Sequence, residues 1–369
     1  MDEILNDLAL QPVKPDVNPG AKYAAAARVF QGIPTLERSA DGKLWAAWYS
    51  GGTGEGPDNY VLLASSPDDG STWSKPLLVI DPPEKVRAFD PCLWTDPAGR
   101  LWLFWAQSWT KFDGRCGVWA IRCDEPEAPV PRWTEPRRLA NGIMMNKPTV
   151  LSTGEWLMPS AIWNNREPRW PQFERERKSN LYVSTNSGET WTLLGGPDVP
   201  ERSCDEHMVV ELRDGSLMML VRTTYGIAKS LSRDRGRTWE KAENSGIPGP
   251  NSRFFIRRLK SGRLLLVNHY GYKLDPNRRI SGRTHLAALL SEDDGRTWAK
   301  SLMLDEREDV SYPDGVEAPD GKIYIVYDRE RKDAREILMS VFTEEDVLAG
   351  RVQSKHGRLR VIVDRAGQA

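Results

Sequence analysis

Five times along the chain, polar or charged residues stand directly before an apolar run. VRAFDPCLW offers Arg87 and Asp90, MMNKPTVL offers Asn146 and Lys147, and CDEHMVV offers Asp205, Glu206 and His207. NSRFFIRRL offers Arg253, and VSYPDGVE offers Tyr312 and Asp314. The glycine-rich stretch SGGTGEGPDNY adds Glu55 and Asp58. Residues of these types can move protons and hold an anion: carboxyl and imidazole groups act as acid and base, and arginine forks match the two oxygens of a carboxylate. For any single residue, a ring of ion pairs that locks repeated units together fits equally well. The regular recurrence, with glycines and a tyrosine beside it, favours a shared site.

The chain has four histidines, His207, His269, His285 and His356. His207 beside Glu206 can act as an acid or base or bond a sugar hydroxyl. No H-x-H or H-E-x-x-H spacing supports a metal, and neither metal nor cofactor is expected. Trp109, Trp163 and Trp170 fall in or near loops, where an indole can stack on a sugar ring.

The elements that position these residues are repeated. S-x-[DN]-x-G-x-T-W occurs four times, at Ser66–Trp73, Ser184–Trp191, Ser232–Trp239 and Ser291–Trp298, each time after an apolar run. An acid or amide that accepts backbone N–H bonds, a glycine free to take positive φ and a covering tryptophan make a strand-to-strand staple. Its acids are expected to be structural. A glycine also precedes an apolar strand six times, at Gly42, Gly99, Gly154, Gly215, Gly262 and Gly321, with spacings of 57, 55, 61, 47 and 59. That period, with several short strands per unit, predicts an all-β protein, a six-bladed β-propeller of four-stranded antiparallel blades. One short helix is expected at FTEEDVLAG, with Thr343 as N-cap and Gly350 as stop. The expected organisation is a single propeller domain over 1–369, with an N-terminal extension at 1–22 and an inserted charged loop at 164–178.

Composition narrows the partners. The net charge of −1 carries no basic field for nucleic acid or a membrane surface. No apolar run approaches the length of a membrane span, and the first residues lack a basic and an apolar signal region. A cytoplasmic location is therefore expected, or a secreted or periplasmic one if a leader preceded this sequence. Cys92, Cys116, Cys123 and Cys204 show no metal or disulfide spacing, and read as reduced, buried thiols. Oligomeric state is not legible.

The repeated octapeptide is the Asp-box of sialidases, and the chain resembles the sialidase (neuraminidase) superfamily over nearly its whole length. The resemblance implies the six-bladed fold, a glycan substrate and a site with three carboxylate-binding arginines, a tyrosine nucleophile, a glutamate that activates it and an aspartate as acid/base. In CDEHMVVELRDGSLMMLVRT it places Glu206 on the helper glutamate and Arg222, sixteen residues later, on one arginine. It places Arg283 on another, with Arg278 and Arg279 nearby, and Tyr312 on the nucleophile. Glu55 fits the acid/base spacing better than Asp58. Blade one departs from the family pattern: where an Arg-Ile-Pro signature belongs, this chain reads QGIPTLERSADG, with Gly32 in the arginine's place. A recut sugar pocket is expected.

The resulting expectation is an exo-acting, sialidase-like glycoside hydrolase on a terminal, acidic or heavily hydroxylated sugar. Tyr312, Glu206, Glu55, Asp58 and His207 are its catalytic candidates. Arg222, Arg283, Arg253, Arg87, Asp90, Asn146, Lys147 and Asp314 are its substrate-binding candidates. Two alternatives stand beside it: a propeller lyase on a uronate, with Tyr312 or His207 taking the C5 proton, and a glycan-binding propeller without catalysis.

Overall fold

The computed structural model describes residues 8–109, 115, 117–163, 170–270 and 282–367. Six four-stranded antiparallel sheets follow one another along the chain. Their innermost strands are Gln31–Arg38, Val86–Thr95, Thr149–Val150, Met208–Glu211, Phe255–Arg258 and Val310–Glu317. Each of the six glycines named above sits in the turn between the first and second strands of a blade, with φ between 80° and 96°. A side chain would strain that conformation, which is why the turns read as glycine.

The second strands are buried almost throughout because blades stack on both faces. In Leu44–Ser50 every residue is buried. Trp45 and Tyr49 pack towards blade two, in one cluster with Leu103 and Trp105, while Trp48 packs towards blade six with Tyr324. Among the described residues, no blade borrows a strand from the other end of the chain. Closure comes instead from a strap before blade one: the buried Arg28 guanidinium donates to both oxygens of Asp364, each at 2.8 Å, and Gly367 N–H donates to the Ala25 carbonyl at 2.7 Å. Residues 8–22 of the extension lie along blades one and two, where Asp16 pairs with Val79 and the Gln107 amide donates to the Ala9 and Gln11 carbonyls.

All four Asp-boxes link the third strand of a blade to its fourth, at the end opposite the starts of the inner strands. In the first, Thr72 donates from its amide and hydroxyl to the two oxygens of Asp68, at 2.8 and 2.7 Å, and Gly70 N–H donates to Ser66 Oγ at 2.9 Å. Their tryptophans are half-buried lids on the blade clusters. The helix forms at Glu344–Ala349, with a capping box on Thr343 and Gly350 left-handed at φ 69°. In the charged insertion, Pro171–Glu176 forms a 3-10 turn, and residues 164–169 lie outside the described residues. Cys92, Cys123 and Cys204 are buried and unbridged, while Cys116 lies outside the described residues.

Candidate active site

Three inner strands carry the same irregularity. Their pairing slips between Gly32 and Thr35, between Phe89 and Cys92, and between Ser311 and Asp314. Each bulge contains a non-glycine residue at positive φ followed by proline: Ile33 (57°), Asp90 (47°) and Tyr312 (58°). A bulge bends the strand and re-aims one side chain, and the proline gives up no ladder donor because pairing is already broken there. Blade four reaches the same end differently. Cys204, Asp205 and Glu206 are consecutive left-handed residues, at φ 56°, 54° and 44°. Such residues cost roughly 1–2 kcal/mol each, so this turn needs external support. The buried Arg202 supplies it, donating from Nη1 to both Asp205 oxygens at 2.9 and 2.8 Å, and Ser179 Oγ adds a third bond at 2.7 Å.

These devices bring Tyr312, Glu206 and Arg222 together. The Tyr312 hydroxyl donates to Glu206 Oε1 at 2.7 Å, and Arg222 Nη1 donates to the same oxygen at 2.6 Å and to the Tyr312 oxygen at 2.9 Å. Asn251 fixes Arg222 through Nε at 2.6 Å. Glu206 Oε2 is buried and has no hydrogen-bond partner among the described residues. Burial pushes the Tyr312 phenol well above its ordinary pKa, against the pull of Arg222, Arg283 and Arg331. The resting group is therefore a neutral phenol whose proton points at a carboxylate.

A cavity of about 460 Å³ opens beside this cluster, with Glu55, Arg283, Ser311 and Arg331 in its wall. The Arg283 guanidinium stands 5.1 Å from the Tyr312 ring centroid. Arg278 and Arg279 lie outside the described residues. Glu55 Oε1 accepts from Arg331 Nη1 at 3.3 Å. Asp58 is exposed and is not among the cavity's lining residues. Asp90 is buried, and desolvation raises its carboxyl to about 8, with Glu55 and Glu206 adding to the rise against Arg87. Arg87 is itself fully buried, its guanidinium 3.8 Å from the Phe89 ring centroid.

Four expected ligand-binding residues belong elsewhere. Lys147 Nζ donates to the Leu36 and Leu93 carbonyls, at 2.7 and 2.6 Å, and pairs with Glu37 at 2.9 Å and Asp314 at 3.1 Å. Arg253 donates to Asn146 Oδ1 at 2.7 Å, the Met145 carbonyl at 2.8 Å and Asp314 at 3.2 Å. Asn146 donates to the Glu206 and His207 carbonyls. Their polar atoms are engaged with one another and with the backbone, so Asn146, Lys147, Arg253 and Asp314 form the ion-pair ring and not a sugar-binding wall. His207 is corrected too: it is buried, its Nε2 lies 2.6 Å from the Asn180 carbonyl, and burial holds its pKa below the usual value. It shares no bond with Tyr312, Glu206 or Arg222. Trp163 belongs to a core cluster, and Trp170 stacks with Arg115 at 4.9 Å.

Sequence reading missed Arg331 and Asp328. Arg331 lies in a densely charged stretch, YDRERKDARE, where no pattern separates a site cation from a solvated one. The available signal was Gly32, which marks a missing side chain and so a space to be filled.

The sequence profile of the BNR repeat-like domain matches residues 42–325. Among solved structures, a protein of unknown function from Dyadobacter fermentans superposes with a TM-score of 0.65 at 18% identity, covering 88% of this chain and 95% of its own. The Hadza microbial sialidase Hz136 gives 0.67 at 18% identity, over 88% of this chain and 68% of that one. The intramolecular trans-sialidase of Ruminococcus gnavus, solved with oseltamivir carboxylate, gives 0.66 at 14% identity, over 92% and 99%. At these identities the likeness is one of fold. No curated protein matches the chain.

Proposed function

The chain belongs to the BNR repeat-like domain family, and from that premise we propose that it is an exo-acting, sialidase-like glycoside hydrolase that removes a terminal acidic sugar from a glycan. The observation that carries this reading is the Tyr312–Glu206–Arg222 cluster beside an open cavity. A phenol is a poor nucleophile until its proton leaves, and Glu206 is placed to take it. Arg222 bonds the same phenol oxygen and steadies the charge that develops there. The Tyr312 oxygen bonds to the anomeric carbon as its proton passes to Glu206. The glycosidic C–O bond breaks, and Glu55 protonates the leaving oxygen. Water then attacks the same carbon and gives its proton to Glu55, while Tyr312 departs and recovers its own from Glu206. Two displacements at one carbon retain its configuration, as in other glycosidases that form a covalent intermediate.

A tyrosine serves where a carboxylate nucleophile would be repelled by a substrate anion, and Arg222 and Arg283 both lie against Tyr312. A carboxylate on or next to the anomeric carbon fits that environment. The lyase alternative loses one of its two bases, because His207 is buried against Asn180.

The test is a hydrolysis screen with 4-methylumbelliferyl glycosides of nonulosonic acids, uronic acids and neutral sugars, on wild type and Tyr312→Phe. Release from a nonulosonic acid by wild type alone supports the proposal. A product absorbing near 235 nm from a uronate would replace it with the lyase, and no turnover of any substrate would replace it with a binding propeller.

A further inference from the structure

Gly32 is not among the glycines with left-handed φ, so its backbone does not call for glycine. Space does. A Cβ placed there would lie 2.6 Å from Arg331 Cδ and 2.8 Å from its Cγ and Nε, closer than side chains approach one another. Arg331 comes from the opposite end of the sequence, in the turn between the blade-six strands Ile323–Arg329 and Glu336–Phe342. Its guanidinium lies 4.4 Å from the Tyr312 ring centroid.

The arginine is built in. Nε donates to the buried Asp328 at 2.8 Å, Nη2 to Ser311 Oγ at 3.2 Å and Nη1 to Glu55 at 3.3 Å. Asp328 is itself held by Ile33 N–H at 2.7 Å and Ser311 Oγ at 2.6 Å. A guanidinium has five N–H groups, and three are engaged here, which leaves one on each terminal nitrogen. One N–H on each terminal nitrogen is what a fork needs to meet both oxygens of a carboxylate. The residue also lines the cavity that holds Arg283 and Glu55.

We propose that Arg331 supplies, from blade six, the carboxylate-binding guanidinium that blade one lacks, and that Gly32 is the space that admits it. The two positions are then alternatives: a side chain at 32 and the seated Arg331 exclude each other. The inference rests on the sialidase-like reading for its choice of ligand, a sugar carrying a carboxylate beside the anomeric carbon.

The test reads binding, not turnover. Free N-acetylneuraminic acid and its methyl ester are titrated calorimetrically into wild type, Arg331→Ala, Arg331→Lys, Gly32→Ala and the exchange Gly32→Arg/Arg331→Gly. Wild type is expected to bind the acid better than the ester. Arg331→Ala is expected to weaken the acid about 10- to 100-fold, the range of a lost charged hydrogen-bonded pair, while leaving the ester nearly unchanged. Gly32→Ala, which removes no polar group, is expected to weaken the acid by displacing Arg331. The exchange is expected to bind the acid better than Gly32→Arg alone. If Arg331→Ala does not fold because Asp328 loses its partner, Arg331→Lys retains a cation there and loses only the fork, and the same selectivity loss is expected.

An acid-to-ester ratio that stays at the wild-type value in the Arg331 variants, or acid binding untouched by Gly32→Ala, overturns the proposal. So does a wild type that binds neither probe. Hydrolysis of neutral sugars with no carboxylate preference sinks this inference and leaves a glycosidase. Arg331-dependent acid binding without turnover of any glycoside sinks the hydrolase and leaves this inference standing.

Discussion

In the proposed reaction Tyr312 attacks and Glu206 takes its proton, so each should fail in its own way. Tyr312→Phe removes the attacking oxygen but keeps the ring under Arg331 and Arg283, so it should fold normally, with turnover of a responsive glycoside down by at least about a thousandfold. Glu206→Gln keeps the shape and removes the base, and should lower kcat by about 10²- to 10⁴-fold. Asp90 makes a pH prediction. Its folded pKa, about 8, lies above the unfolded value of about 3.9. Between those values the unfolded chain releases a proton that the native protein keeps, so this residue's contribution to stability falls as pH rises from about 4 to 8. Asp90→Asn should therefore raise the melting temperature more at pH 8 than at pH 5. An equal effect at both pH values would show that the carboxyl is ionised in the native protein.

At the level of the element, the turns do two unlike jobs. The left-handed turn at Cys204–Glu206 stores strain next to the site, a recurrent place for it, and the Arg202–Asp205 pair holds it. Asp205→Asn breaks that buried pair, and should reduce kcat more than it raises KM, because Glu206 loses its aim at Tyr312. A substitution that lowers melting temperature but leaves kcat intact would reduce Asp205 to a structural role. The Asp-boxes lie at the far end. Bonds from Thr238 and Thr297 hold Asp234 and Asp293 at about 2. Their folded pKa is below the unfolded value, so their contribution is complete above about pH 4 and is lost as pH falls towards 2. The second box runs on Asn186, which accepts from Thr190 N–H at 3.0 Å and donates to Thr190 Oγ at 2.9 Å. An amide cannot titrate. Replacing Asp234 and Asp293 by asparagine should flatten the acid limb of the melting curve without disturbing activity.

For the molecule as a whole, the ring around Lys147 ties every blade to the axis. Leu36 and Glu37 of blade one, Leu93 of blade two, Asn146 and Lys147 of blade three, the Glu206 and His207 carbonyls of blade four, Arg253 of blade five and Asp314 of blade six share it. Its two cations, Lys147 and Arg253, balance its two anions, Glu37 and Asp314. Lys147→Met leaves two buried carboxylates facing each other without the shared ammonium, a loss of roughly 3–5 kcal/mol by the measure of other broken buried pairs. Thermal and denaturant unfolding will check this, and a loss below about 1 kcal/mol would mean that the ring relaxes or takes in water. Because Asn146 also holds the Glu206 backbone, the ring positions the site without lining it.

The six blades are legible in the chain alone, since glycines at turns and Asp-boxes after third strands are local requirements of φ and of hydrogen bonding, written where they act. It also marked Glu206, Arg222 and Tyr312, through a family resemblance carried by short motifs. Which charged residues line the cavity and which face each other became visible only in the folded chain. Lys147 and Arg253 look like site cations in the sequence and are structural because partners from other blades close around them. Arg331 looks like surface charge, yet it reaches the site because the ring brings residue 331 against residue 32. A residue's type is local, but its partners come from blades far apart in the chain, and burial among those partners sets what its charge can do.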